Sequence, residues 1–288
     1  MTEHVRADAD AIVIRGEDGI RASEVVVGAA TDVGRLRTIN EDGYLAIAPA
    51  FVVVDGMGGH AAGRMATQVA LDSLYSLAGA TVTDVDTVVR AVVAAQEAIM
   101  AIPSHAAYLP GATIAGVILA WVADEQGVTR PTWVIFNIGD ARVYLLRGDM
   151  LSQVTRDHSR VQILIETGEL TPEQARHDPR RNIVTRALGG GIADSGVPDL
   201  YTVPVAAGDR FLICSDGLSD ELDDEAIATV LAAGCTAQRT AELLVAASLE
   251  GGGHDNTTAV VVDSLQVPTP PLGARAFHPG DASSQGAQ

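Results

Sequence analysis

Acidic residues gather where apolar runs stop. Val52-Val53-Val54 ends on Asp55-Gly56, Phe136-Asn137-Ile138 on Gly139-Asp140, and Ile213-Cys214-Ser215 on Asp216-Gly217. Asp255, in His254-Asp255-Asn256, leads into another apolar run, and Glu41-Asp42 stands just before Tyr44 to Ile47. A lone Asp-Gly is ordinarily a turn, because Asp caps its own backbone and Gly supplies positive φ. As a set they imply more. Strands that deliver carboxylates to one edge bring like charges together, and each raises the pKa of the next unless a cation binds. Carboxylates, a backbone carbonyl such as that of Gly56, and water are hard oxygen ligands; without a Cys cage or paired His they favour Mg²⁺ or Mn²⁺ over structural zinc. Two such ions about 3.5–4 Å apart lower the pKa of a bridging water and clamp the oxygens of a phosphoryl group. Arg37, just upstream of Glu41-Asp42, is a cationic fork suited to phosphate oxygens. The chemistry that fits is hydrolysis of a phosphate ester.

Composition narrows the alternatives. The chain has 288 residues, with 37 acidic side chains against 19 basic ones and a formal charge of −18. Such a charge repels nucleic-acid backbones and anionic lipid headgroups, so neither nucleic acid nor a membrane is an expected partner. No lysine occurs; every basic residue is arginine. That excludes a Schiff-base lysine, a Walker-type phosphate lysine and the kinase strand lysine. Cys214 and Cys235 are too few for a disulfide framework, and Cys214 reads as a small buried side chain. The N-terminus lacks a basic-then-apolar signal pattern and Ala112 to Ala123 is shorter than the ~20 residues a span requires, so the expected location is the cytoplasm.

Positioning those carboxylates requires strands. Apolar, β-branched runs predict them at 24–30, 43–47, 51–54, 112–123, 132–138, 143–146, 200–205, 210–214 and 257–262. Apolar residues three and four apart predict helices over 61–77, 84–100, 161–167, 224–232 and 236–249. Helices cluster in pairs between groups of strands, so antiparallel sheets covered by helices are expected instead of a doubly wound parallel sheet. Residues 1–22 and 267–288 read as flexible extensions of a single domain over 23–266.

Six ordered segments resemble the metal-dependent serine/threonine protein phosphatases of the PPM or PP2C type, particularly the bacterial members that oppose Ser/Thr kinases. They are Thr31-Asp32-Val33-Gly34 with Arg37-Thr38-Ile39-Asn40-Glu41-Asp42, Asp55-Gly56-Met57-Gly58-Gly59-His60, Gly111-Ala112-Thr113, Gly139-Asp140-Ala141-Arg142-Val143-Tyr144, Ser215-Asp216-Gly217-Leu218-Ser219-Asp220 and Gly253-His254-Asp255-Asn256-Thr257-Thr258. The resemblance implies an α+β, four-layer α-β-β-α sandwich of two antiparallel sheets flanked by helix pairs. It implies that Asp55 bridges two Mn²⁺ or Mg²⁺ ions, that Gly56 gives a carbonyl, and that Asp216 and Asp255 complete the first ion's shell. Glu41 and Asp42 would hold metal-bound waters, Arg37 would grip phosphate, and Asp140 with Asp216 would form a third, weaker site. Residues 155–188 resemble the family's flap; five of their arginines, Arg156, Arg160, Arg176, Arg180 and Arg181, either meet a phosphopeptide or solvate the flap.

Several positions depart from the family. Arg64 stands where bacterial relatives usually carry Glu, a cation near a helix N-terminus. Ala141 and Ala112 replace Ser and Thr, and Met57 occupies the place of a general-acid His in animal relatives, leaving His60 as a structural residue of the turn. His4, His105, His158, His177 and His278 form no ligand spacing and are expected at the surface. The expected activity is hydrolysis of phosphoserine and phosphothreonine on proteins by a monomer. The competing reading is a weakly active phosphoprotein-binding regulatory module of the same fold.

Overall fold

The computed structural model describes residues 12–15, 25–59, 61–103, 109–124, 126–192 and 196–267. Two sheets lie face to face. The first has the order β1 (Ile12–Arg15), β3 (Asp42–Ile47), β4 (Ala50–Met57), β5 (Gly111–Ala123), β6 (Thr129–Ile138), β10 (Asp199–Pro204), with β9 (Leu188–Gly189) added beside β5. The second runs β2 (Val25–Asp32), β12 (Thr257–Ser264), β11 (Arg210–Cys214), β7 (Arg142–Arg147), β8 (Met150–Gln153). Every pairing is antiparallel except β1 with β3. β1 falls inside the segment expected to be an extension; the rest of 1–22, and 268–288, lie outside the described residues.

Helices α1 (Ala61–Leu74) and α2 (Val85–Met100) cover the first sheet. Asp84 caps α2 by accepting from Thr87 N–H, and the stripe Val88, Ala91, Val92, Ala95, Gln96, Ile99 follows the helical period into the core. The short α5 (Asp216–Ser219), α6 (Asp224–Leu231) and α7 (Ala237–Gly251) cover the second sheet. The result is the expected four layers. Two small helices, α3 (Arg160–Glu166) and α4 (Pro172–Arg176), lie in the flap-like segment.

Strand alternation creates the site. Tyr44, Val53, Ala115, Ile135 of one sheet and Val143, Ile213, Val260 of the other fill the space between the sheets. Because successive side chains alternate, stepping two residues toward one end replaces all but one of these apolar residues by a polar one on the same face, Val143 giving way to Ala141. Tyr44 gives way to Asp42, Val53 to Asp55, Ala115 to Thr113, Ile135 to Asn137, Ile213 to Ser215 and Val260 to Thr258. One end of the apolar core is therefore a polar layer. At the opposite end Asp209, buried, accepts from Trp133 Nε1 at 3.2 Å and from Arg147 at 2.6 and 2.8 Å, tying the sheets there.

Candidate active site

Asp42 is held from the opposite sheet. Its Oδ2 accepts from Ser215 Oγ and Thr258 Oγ1, both at 2.7 Å, while Thr258 Oγ1 lies 2.8 Å from Thr31 Oγ1. Its Oδ1 is buried without a donor. A further side-chain partner is Asp55, its register neighbour on β4 and itself an acid, which donates only when protonated. Burial pushes Asp42 up to about 6, against the pull of the two hydroxyls, with repulsion from Asp255 adding to it.

The other predicted carboxylates share this neighbourhood. Asp55 and Asp216 stand well above the usual carboxylate range; burial is the main cause, followed by repulsion from Asp216, Asp42, Asp140 and Asp255 in the first case and from Asp140, Asp220, Asp255 and Asp42 in the second. Burial, then Asp157, raises Asp140 to about 7. The structure thus brings together Asp42, Asp55, Asp140, Asp216 and Asp255. Asp220 joins them; it lies one turn of helix beyond Asp216, a spacing that puts both on one face. Among the described residues no three His, Cys, Asp or Glu side chains close into a metal cage. The carboxylates are electrostatic neighbours, not a finished ligand shell.

The donor set nevertheless suits a hard divalent cation. It is made of carboxylates that raise one another's pKa, and it includes a buried oxygen, Asp42 Oδ1, that has no donor while Asp55 is ionised. Gly56 sits at the seam: a Cβ there would lie 2.5 Å from Gly63 O and 2.7 Å from Glu41 O. Only glycine lets the end of β4, the start of α1 and the Glu41 backbone approach so closely. Thr67 Oγ1 donates to Glu41 O at 2.6 Å, fixing the buried Glu41 in the same seam.

Arg37 projects from the loop between β2 and β3, and Asn256 ties that loop at both ends. Its Nδ2 donates to Val33 O at 2.9 Å and Ile39 O at 3.0 Å, and its Oδ1 accepts from Glu41 N at 2.8 Å. Exposed at the loop tip, Arg37 reaches Asp255 Oδ2 at 2.6 Å. Predicted phosphate grip and predicted metal ligand are therefore in contact.

The flap arginines are largely committed to the protein. Arg156 pairs with Glu166, Arg180 with Asp178 at 2.8 Å, and Arg176 donates to the carbonyls of Ser219 and Asp220 at 3.2 and 3.1 Å. Arg181 lies 3.5 Å from Asp220 Oδ2. His158, expected at the surface, is buried at 3% exposure, because the chain after β8 folds back over the β6–β7 turn. Arg64 lies in the first turn of α1; His60 lies outside the described residues.

A family model described as protein phosphatase 2C matches residues 38–251. The serine/threonine protein phosphatase PstP of Mycobacterium tuberculosis is 38% identical over 240 residues, 82% of this chain, which spans only 44% of that relative's length. The serine/threonine phosphatase stp of Listeria innocua is 33% identical over 243 residues, 81% of this chain and 93% of its own. Among solved structures, the catalytic domain of PstP in complex with two manganese ions matches with a TM-score of 0.72 at 34% identity, over 84% of this chain and 99% of that one. The segments that form the polar end of the sandwich fall within or beside the matched stretch, and with likeness of this extent in sequence and in fold the chain belongs to the protein phosphatase 2C family.

Proposed function

We propose that the chain is a metal-dependent protein phosphatase that hydrolyses phosphoserine and phosphothreonine on proteins, with Ser/Thr kinases as the opposing enzymes, the cytoplasm as its location and the monomer as its working unit. The observation that carries this reading is the polar end of the inter-sheet core, where buried carboxylates raise one another's pKa beside the exposed guanidinium of Arg37. The names of the relatives support the same activity. No helix among the described residues is long and apolar enough to cross a membrane.

Asp55, Asp216, Asp255 and the Gly56 carbonyl are the groups to hold two core ions, with Glu41 and Asp42 behind them and Asp140 with Asp216 for a third. When bound, Mn²⁺ or Mg²⁺ supplies Lewis acidity that makes water a nucleophile near neutral pH and offsets phosphoryl charge. The chain's own part is positional and electrostatic. Ser215 and Thr258 fix Asp42 from the second sheet, and Asn256 fixes the loop that presents Arg37. Arg37 receives the phosphate oxygens as a planar fork; its contact with Asp255 runs through Nη2 alone, which leaves its other N–H groups for the phosphate.

The test is hydrolysis of a phosphothreonine peptide by purified protein with Mn²⁺, with Mg²⁺ and after exhaustive chelation. Activity is expected only with the ions; full rate in the chelated protein overturns the proposal. Peptide binding without turnover under every metal condition would favour the regulatory-module reading instead.

A further inference from the structure

His158 spends every hydrogen-bonding group it has. Its backbone N–H donates to Gly139 O at 2.8 Å and its carbonyl accepts from Thr185 N–H at 2.7 Å. In the ring, Nδ1 accepts from Gly139 N–H at 3.0 Å and Nε2 faces Asp199 Oδ2 at 3.1 Å. A nitrogen that accepts from an amide carries no proton, so the ring proton sits on Nε2 and is donated to Asp199. Arg186 completes the chain of contacts, with Nη1 2.6 Å from Asp199 Oδ1 and Nη2 donating to Val197 O at 2.6 Å.

What this ring grips is the turn that carries Asp140. Gly139 has φ +106°, and a Cβ there would lie 2.3 Å from Thr113 Cβ, so the turn is held in a conformation closed to other residues. Its carbonyl takes Asn137 Nδ2 at 3.3 Å as well as His158 N–H. The next residue, Asp140, is 7% exposed and acts electrostatically on Asp55 and Asp216. Thr185 and Arg186 belong to the flap-like segment and Asp199 starts β10, so His158, by its backbone to Thr185 and its ring to Asp199 and Gly139, joins the flap, the edge of the first sheet and the Asp140 turn.

We propose that His158 is a positioning residue: its neutral ring, oriented by Asp199 and Arg186, holds the Gly139–Asp140 turn so that the Asp140 carboxylate points into the acidic site, and makes that aim depend on the seating of the flap. This rests on the reading of Asp140 as an outer ligand. A group that orients a ligand through one intervening hydrogen bond acts on turnover while leaving the phosphate grip of Arg37 untouched.

Two substitutions separate the two ring nitrogens. His158→Asn keeps an acceptor, Oδ1, where Nδ1 stood and loses the reach to Asp199. His158→Gln places its amide where Nε2 stood and leaves Gly139 N–H without an acceptor. His158→Gln is expected to lower kcat by about 10- to 100-fold with KM nearly unchanged, and His158→Asn to recover to within about threefold of wild type. In the metal-free protein, NMR-detected deuterium exchange at the Gly139 amide should be faster in the Gln variant and near wild type in the Asn variant. The double variant His158→Gln with Asp140→Ala should be no slower than Asp140→Ala alone, the mark of two residues acting through one group. Should both His158 variants fail to fold, Asp199→Ala, at the half-exposed end of the relay, frees the ring proton to move to Nδ1; it should slow turnover by about 10-fold and speed Gly139 exchange.

Wild-type kcat per folded molecule in His158→Gln, with only a lower melting temperature, would make the ring an ordinary buried residue and overturn the inference. Slow Asp140→Ala with fast His158→Gln overturns this inference alone, whereas wild-type turnover in Asp140→Ala overturns the outer-ligand reading and this inference with it.

Discussion

Arg37 stands where a cation on Asp255 would compete with it. At 2.6 Å its Nη2 occupies Asp255 Oδ2, the oxygen that a cation would also claim. The side chain is 48% exposed and its loop is tied below it, so the swing away from Asp255 requires only its own rotamers. Removing Arg37 then has opposite effects on two ligands. Arg37→Ala is expected to lower kcat/KM by roughly 10- to 150-fold, the scale of one charge-assisted contact, while Mn²⁺ affinity stays equal or tightens because Asp255 loses a competitor. Steady-state kinetics beside calorimetric titration of the metal-free protein checks both; weaker Mn²⁺ binding in the variant would count against the competition.

At the scale of elements, the β2–β3 loop is tied at both ends by one amide 217 and 223 residues away from the carbonyls it binds. Asn256→Ala leaves Val33 O, Ile39 O and Glu41 N without that partner and should cost about 1–3 kcal/mol for each group left buried and unpaired. KM should rise with it, since the loop presents Arg37; thermal melts and kinetics on one preparation test the pair of effects, and unchanged KM would show that the loop holds its shape unaided. The same long separations explain what the sequence could and could not disclose. Apolar runs ending on Asp55, Asp140 and Asp216 were readable because alternation and turn chemistry are local. The hydroxyls that hold Asp42 come from residues 173 and 216 positions away, and nothing local announces them. The burial of His158 is hidden from the sequence for the same reason: it comes from a segment folding back. The strand β8 leaves no signal in the sequence because it is a short edge strand of mixed burial, and β9 because two residues carry no period.

Across the whole molecule the acidic end sets the response to protons. An acid whose folded pKa stands above its unfolded value holds a proton in the folded state that the unfolded chain has released, so stability falls as pH rises through that window. Asp42 at about 6 and Asp140 at about 7, from the usual 3.8, both belong to this class. His158 has the opposite sign: burial lowers it from 6.5, and it begins to penalise folding only below that value. The metal-free protein should therefore gain melting temperature as pH falls from about 7 to about 4, with His158 taking back part of the gain below 6.5. Saturating Mn²⁺ should flatten or reverse the trend, because cation and proton compete for the same carboxylates. A metal-free melting temperature that is flat or falls over that range would show that these carboxyls are ionised without help.

The clasp at the far end of the sandwich has a practical use. Trp133 is fully buried, stacks edge-on against Phe211 with ring centroids 5.2 Å apart, and donates to Asp209 between the sheets. It stands five residues before Ile138 on the same strand, about 17 Å from the acidic end at the usual rise per residue. Its fluorescence should consequently be blind to ion or peptide binding and shift to the red only when the two sheets part, which gives the chain a built-in optical gauge of unfolding that leaves the acidic end unlabelled.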